Sequence, residues 1–319
     1  MVGARGSSSI TLHNGTRAVY DSKAVAEGGF SFVYAARDGR TGERYALKKI
    51  LCQVEEQREQ ALAEVRAHGE FAHPNLMPLI DWAFLHVPQG EAAFLLFPFM
   101  EGTLRDLINT RVLGGGGRLG ETEALEFFLG VLKGVRELHH HNPPWAHRDL
   151  KPENVMLTRE GVPVIMDFGS MAPAERVVCG RTDALTVQDE AAQFCTLPYR
   201  APELFDVASD ARLDARTDVW SLGCLLYALG FGFSPFECEF GPGGELRVVE
   251  CSFLRVIGPV SFPPGTVYSK DLCDLVAWTL EQDPAKRPHV DEVLERVQAL
   301  VGKARLMNGT VAIDVQRLG

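Results

Sequence analysis

The chain lacks the cysteine pattern of a disulfide scaffold or a zinc module. It has seven cysteines, an odd number, and no CxxC pair. That excludes the usual disulfide frameworks and Cys-based metal sites, and it favours a reducing compartment. There is no excess of base either: 32 Lys and Arg stand against 42 Asp and Glu, for a net charge of −10. General nucleic-acid binding depends on cationic neutralisation of phosphates, so no nucleic-acid partner is expected. The first residues have no apolar core of the kind a cleavable signal peptide needs. One run, Val219 to Phe236, carries no charge, but Gly230, Gly232, Ser234 and Pro235 interrupt its second half. It predicts a helix from Asp218 to about Leu229, buried on all sides, rather than a membrane span. His139-His140-His141 has no Cys or His at ligand spacing nearby and reads as a solvated loop end. No internal repeat is visible.

With 319 residues, the chain is long enough for one large domain or two lobes. Residues 1–16 are rich in Gly and Ser and are expected to be disordered. From about Arg17 to Pro98, short β-type runs dominate (Phe32 to Ala35, Tyr45 to Lys48, Ala93 to Leu96), broken by one helical stretch, Val54 to Phe71. After Thr103 the pattern turns helical. Leu125, Phe128, Leu129, Leu132, Val135 and Leu138 form one apolar stripe, and Val290 to Val301 alternates at helical spacing. The fold class read from this is α+β. A small sheet lobe with one helix covers about 17–97, a joining segment 98–102, and a large, mainly helical lobe about 103–303. A C-terminal tail occupies 304–319, without clear pattern from Asn308. A cleft between two such lobes is a common ligand site.

The chemistry concentrates in His147-Arg148-Asp149-Leu150-Lys151-Pro152-Glu153-Asn154 and, thirteen residues beyond Asn154, Asp167-Phe168-Gly169. A carboxylate and an amide five residues apart can face one reaction centre. A second carboxylate, on a turn ahead of a glycine, can hold a cation there. Phosphoryl transfer from a metal-bound nucleotide needs this set, because phosphate charge must be neutralised and the accepting hydroxyl aimed.

These two motifs resemble the catalytic loop and metal-binding turn of the eukaryotic protein kinases. The resemblance implies a bilobal kinase fold binding ATP and Mg2+. It gives Asp149 the substrate hydroxyl, Lys151 the transferring phosphate, and Asn154 and Asp167 the magnesium. Ala26-Glu27-Gly28-Gly29-Phe30-Ser31-Phe32-Val33 resembles the kinase Gly-rich loop, with Ala26 and Ser31 where the pattern has glycine. A plain strand–turn–strand hairpin accounts for that stretch equally well. Lys48 matches the lysine of the V-A-I-K motif; its expected acidic partner is Glu64, with Lys49 and Glu59 as competitors. Phe97-Pro98-Phe99-Met100-Glu101-Gly102 resembles the segment joining the lobes. It implies Phe97 behind the adenine, Pro98 and Met100 on its polar edge, and Val33, Ala46 and Met156 against its faces.

Thr196 to Glu203 resembles the end of a kinase activation segment, and Arg287 is the natural partner of Glu203. The resemblance therefore implies protein substrates; Lys151 with Thr196 matches serine/threonine specificity, with dual specificity left open. Further stretches are similar to the Numb-associated kinase family: Ile50-Leu51-Cys52, Met166 to Met171, Ala184 to Asp189 and Ala191 to Thr196. That family carries an extra helix in the activation segment. Here Thr182 or Asp183 would cap it, with Leu185, Val187 and Ala191 inward, a plain loop being the alternative. Arg148 is expected to dock a phosphate, and autophosphorylation is expected at Thr186, with Thr182 and Ser170 open. The resemblance also suggests peripheral membrane or trafficking partners and Golgi association. But Val2 precedes Gly3 and no cysteine occurs before Cys52, so no N-terminal acylation motif is seen and a cytoplasmic location is expected.

Overall fold

Ala92, Phe94 and Leu96 point to one face of their strand, and Ala93 and Leu95 to the other. This two-residue alternation lets one sheet serve two cores. The computed structural model describes residues 7–28 and 31–316, with side chains through 306. Contacts divide the chain into two units, the first running to Glu101 and taking in Met166–Gly169, the second comprising Gly102–Ile165 and everything from Ser170.

The first unit is an antiparallel sheet with one helix. Its strands are β1 (Ser7–Thr11), β2 (Arg17–Asp21), β3 (Ala26–Glu27), β4 (Ser31–Asp38), β5 (Arg44–Cys52), β6 (Asp81–Val87) and β7 (Gly90–Pro98). The order is β1-β2-β4-β5-β7-β6, with β3 paired to β4. Helix α1 (Glu55–Glu70) follows β5. The Gln57 side chain accepts from the N–H groups of Gln53 and Val54 at 2.7 and 3.3 Å, which satisfies donors at the helix start. Ala61 and Val65 of α1 pack on Ala93 and Leu95, and Leu12, Ala18, Leu47 and Phe94 fill the opposite face.

Residues 1–16 are not disordered throughout. Ser7 to Thr11 pair with Arg17 to Asp21 in full register. The buried carboxylate of Asp81 accepts from the N–H of Asn14 at 3.0 Å and of Thr16 at 3.4 Å, fixing the turn between them. Leu12 enters the core.

The second unit contains β8 (Gly102–Thr103), α2 (Leu104–Ile108), α3 (Glu121–His139), β9 (Trp145–Ala146), β10 (Val155–Leu157), β11 (Pro163–Ile165), β12 (Ala172–Pro173), β13 (Arg176–Val177) and α4 (Gly180–Phe194). β14 (Arg212–Leu213) precedes α5 (Arg216–Phe231), followed by α6 (Phe253–Val256), α7 (Lys270–Thr279) and α8 (Val290–Gln316). The stripe on α3 is buried at Leu125, Phe128, Leu132, Val135 and Leu138. The uncharged run forms α5, buried from Asp218 to Phe231 and ended by Gly232 at φ 97°. Among the described residues no helix is long and apolar enough to cross a membrane. The helix expected over Val290 to Val301 runs on, since the backbone of α8 stays helical to Gln316.

The activation-segment stretch is helical, as α4. Neither Thr182 nor Asp183 is its cap, because the helix starts earlier: Cys179 is the N-cap residue, without a side-chain cap, and Asp183 accepts the Cys179 N–H at 2.8 Å from within the first turn. Ala184, Val187 and Ala191 form its buried face, whereas Leu185 is 45% exposed. One residue out of phase with a 3-4 spacing, Leu185 lands on the outer surface. Val187→Ala should therefore cost about 1–3 kcal/mol and Leu185→Ser less than about 0.5 kcal/mol, read by urea unfolding; equal losses would contradict this helix phase.

Candidate active site

In the first unit, β5 and α1 together position an ion-pair centre. Lys48 stands opposite Val33 on β4 and opposite Leu95 on β7, and Ala46 stands opposite Phe97. The alternation that buries Leu95 toward α1 sends Lys48 the same way. Its Nζ lies 2.8 Å from Glu64 Oε1 and 2.8 Å from Asp167 Oδ1. Glu64 is 4% exposed. Burial works against the Lys48 charge, but the two carboxylates outweigh it and raise its pKa above the ordinary lysine value. Burial also raises Glu64, with Lys48 opposing. The competitors separate cleanly: Glu59 is exposed, and the Lys49 ammonium lies 5.9 Å from the centroid of the Phe94 ring.

Asp167 adopts φ 65°, a left-handed conformation that Asp tolerates better than most residues. The next residue anchors the turn, with Phe168 stacked on His68 of α1 at 4.2 Å and edge-on to Phe71. A Cβ at Gly169 would sit 3.3 Å from Glu64 Oε2, a tight contact that would press on the ion pair. Of the remaining first-unit candidates, Ala26 pairs with Val33 and Glu27 with Phe32, both exposed, and the Gly28 N–H donates to Ser31 O at 2.8 Å. Gly29 and Phe30 lie outside the described residues. Phe97 packs toward α1, 5.1 Å from the His68 ring, Pro98 ends β7, and Met100 is half-buried.

In the second unit, Asp149 is a hub. Its Oδ1 accepts from the hydroxyl and the N–H of Thr196 at 2.6 and 3.0 Å. Its Oδ2 accepts from Lys151 Nζ and Asn154 Nδ2, each at 2.8 Å. Lys151 also donates to the Thr196 hydroxyl at 2.6 Å. Asn154 turns its amide nitrogen to Asp149, which leaves its oxygen as the atom that could hold a cation. Met156 is half-buried on β10, opposite Thr103.

Asp218 gave no signal in the sequence, yet it holds this loop. Fully buried at the start of α5, it accepts the His147 N–H at 2.7 Å, the Arg148 N–H at 2.9 Å and His139 Nε2 at 3.0 Å. Burial opposes its charge, but the His139 hydrogen bond, the nearby histidines and the Arg148 N–H together hold its carboxyl below the usual range. Arg148 sits at φ 71°, a strained conformation kept by those bonds. His139 is thus buried against Asp218, not part of a solvated loop end.

Glu203 and Arg287 form the expected bidentate pair at 2.7 and 2.9 Å, with Arg287 only 1% exposed. Near Arg148, the anion is a carboxylate: Glu190 of α4 lies 3.5 Å from its Nη2. Thr182 and Thr186 are exposed on α4, while the Ser170 hydroxyl donates to His147 O at 2.7 Å.

The profile of the protein kinase domain matches residues 20–297. Serine/threonine-protein kinase 16 of Homo sapiens is 42% identical over 277 residues, which cover 86% of this chain and 88% of that protein. The Rattus norvegicus protein of the same name is 41% identical over the same shares. A probable serine/threonine-protein kinase of Dictyostelium discoideum is 34% identical, covering 88% of this chain and 93% of its own.

Proposed function

The chain belongs to the protein kinase family, and from that premise we propose that it transfers the γ-phosphate of Mg-ATP to serine and threonine hydroxyls of proteins. The observation that carries this reading is the Thr196 hydroxyl, which donates to Asp149 at 2.6 Å while Lys151 reaches the same oxygen. A carboxylate that accepts an aliphatic hydroxyl here is suited to orient a substrate hydroxyl and take its proton.

Mg-ATP supplies the transferable phosphoryl group and the cation that offsets its charge. The donor set fits, because magnesium takes few protein oxygens alongside phosphates, and Asp167 and Asn154 are oxygen ligands of that kind. Lys48, kept charged by Glu64 and Asp167, neutralises phosphate oxygens. Lys151 balances charge at the transferring group, and its bond to Asp149 holds both in place. The turn at Ala26 to Ser31 with Val33, Ala46, Phe97, Pro98, Met100 and Met156 is the proposed nucleotide-binding set. The Glu203–Arg287 pair steadies the segment that presents Thr196.

The finer placement, in the Numb-associated kinase family, is supported by the quoted motifs and by α4. Trafficking partners at membranes and a cytoplasmic location are proposals with it, to be checked by fractionating the tagged full chain. Autophosphorylation belongs on the exposed Thr182 or Thr186; phosphopeptide mapping after incubation with ATP tests this, and a segment without phosphate would refute it. For the reaction itself, Lys48→Met should lower peptide phosphorylation about 10²-fold, with phosphoserine and phosphothreonine as products. Equal and negligible incorporation by wild type and variant would instead indicate a non-catalytic scaffold.

A further inference from the structure

Arg200, in the second unit, is a cation without a counter-ion. Its Nη2 donates to Cys195 O at 3.0 Å, and its guanidinium lies over the Phe205 ring, 5.0 Å from the centroid. Phe205 is itself stacked on Phe253 at 5.2 Å, so the base under the guanidinium is firm. The Arg200 Nε is buried and meets no acceptor. Nearby cations are served: Arg148 has Glu190 at 3.5 Å, Lys151 has Asp149 at 2.8 Å and Arg287 has Glu203 at 2.7 Å. Among the described residues, no carboxylate pairs with Arg200. The titratable groups that bear on it are the thiols of Cys195 and Cys251, and burial pushes each up to about 11, so neither supplies an anion. Burial also works against the guanidinium charge and lowers the Arg200 pKa. Taking a charge out of water without a partner is costly, and an anion brought from outside offsets that cost.

The acceptor of Arg200 fixes its distance from the reaction centre. Cys195 O and the Thr196 N–H belong to one peptide group, and that N–H donates to Asp149 Oδ1 at 3.0 Å. The guanidinium therefore stands within roughly 8 Å of the Asp149 carboxylate. An extended chain advances at most ~3.3–3.6 Å per residue. A peptide with its hydroxyl on Asp149 thus brings side chains two or three positions away within reach of Arg200. The guanidinium has more donors than the one Cys195 O takes, and its planar fork suits a carboxylate. A basic side chain would be repelled there, and a neutral one would leave the cation unpaired.

We propose that Arg200 is a specificity-determining residue, selecting protein substrates that carry an aspartate or glutamate within three residues of the accepting serine or threonine. The selection rests on the proposed kinase reaction where turnover is concerned, whereas binding of the acidic peptide does not. Arg200 touches neither the nucleotide-binding set nor Asp149, so its effect falls on which peptide is held and not on the transfer step.

The test scans glutamate, against glutamine, through the three positions on either side of the serine in an otherwise alanine peptide, using the full chain and Mg-ATP. Wild type should favour glutamate at one or more positions by at least about tenfold in kcat/KM, a difference of about 1.4 kcal/mol, chiefly through KM. At that position Arg200→Gln should lose the preference, Arg200→Lys should keep part of it, and Arg200→Glu should favour lysine instead. Each ratio compares peptides on one enzyme, so a general loss of activity in a variant cancels, and thermal melts confirm that each variant is folded. The same peptides with alanine in place of serine, bound to wild type and read by fluorescence anisotropy, should show the preference without turnover. That measurement needs no variant. No favoured glutamate position, equal binding of the glutamate and glutamine peptides, or an undiminished preference in Arg200→Gln would each overturn the proposal. Preferential binding with no phosphorylation of any peptide would count against the kinase reading alone.

Discussion

Asp167→Ala is expected to lower single-turnover phosphoryl transfer on the order of 10³-fold, from loss of electrostatic and metal-holding help. The loss should be at least as large as that from Asp149→Asn, for which general acid–base help sets a scale of roughly 10²–10⁴-fold. Transfer of a phosphoryl group has a loose transition state, so placement and charge dominate over proton removal. Asp167 serves both, as proposed cation ligand and as one of the two anions on Lys48. The fold should survive, because Phe168 stays anchored on His68 and the Asp167 side chain is 42% exposed. Alanine at φ 65° adds strain of about 1–3 kcal/mol. Asp167→Asn removes that ambiguity, since Asn accepts the left-handed conformation but carries no charge. Asp167→Asn should melt near the wild type, Asp167→Ala lower by that strain, and both should be slow. A nearly active Asp167→Ala protein would remove Asp167 from the mechanism.

Asp218→Ala should destabilise the protein by roughly 3–5 kcal/mol, the scale for stripping one partner from a buried charged network. Two backbone donors, at His147 and Arg148, lose their acceptor in a site with no solvent access. The sign of the pH dependence follows from the lowered pKa of Asp218. Its contribution is fully present above the ordinary aspartate value near ~4, and it is lost as the pH falls through the lower folded value. The gap in unfolding free energy between wild type and Asp218→Asn should thus be widest near neutrality and shrink in acid. Urea titrations across that range read it, and a gap independent of pH would rule out the carboxylate as its origin.

Much of the site is legible locally. The span from Asp149 to Asn154 is short, and a loop of that length brings both side chains to one point. Lys48 and Glu64 are legible through the resemblance, which implies the lysine of the V-A-I-K motif and an acidic partner nine residues before His73-Pro74-Asn75. What escaped was non-local. Ser7 to Thr11 have a composition poor in apolar residues, and they are ordered by β2 and by Asp81, many positions away. Asp218 opens an apolar helix like any capping residue, and only the folded chain shows that it holds the loop around His147. Helical periodicity misassigned Leu185 because hydrophobicity was weighed above phase: Ala184, Val187 and Ala191 define the buried face, and Leu185 is one step off it. Glu190 near Arg148 needed both α4 and the loop in place before it could be seen.

The first unit is not one continuous piece of chain: Met166–Gly169 belong with the residues up to Glu101. A ribosome reading this message finishes residue 101 long before that unit has all its parts, and Lys48 must wait 119 positions for its second carboxylate. Pairings so distant in sequence form late and slow folding. A gene cut after codon 101 would yield a fragment missing four of its own residues, so a split version of this protein should be divided elsewhere.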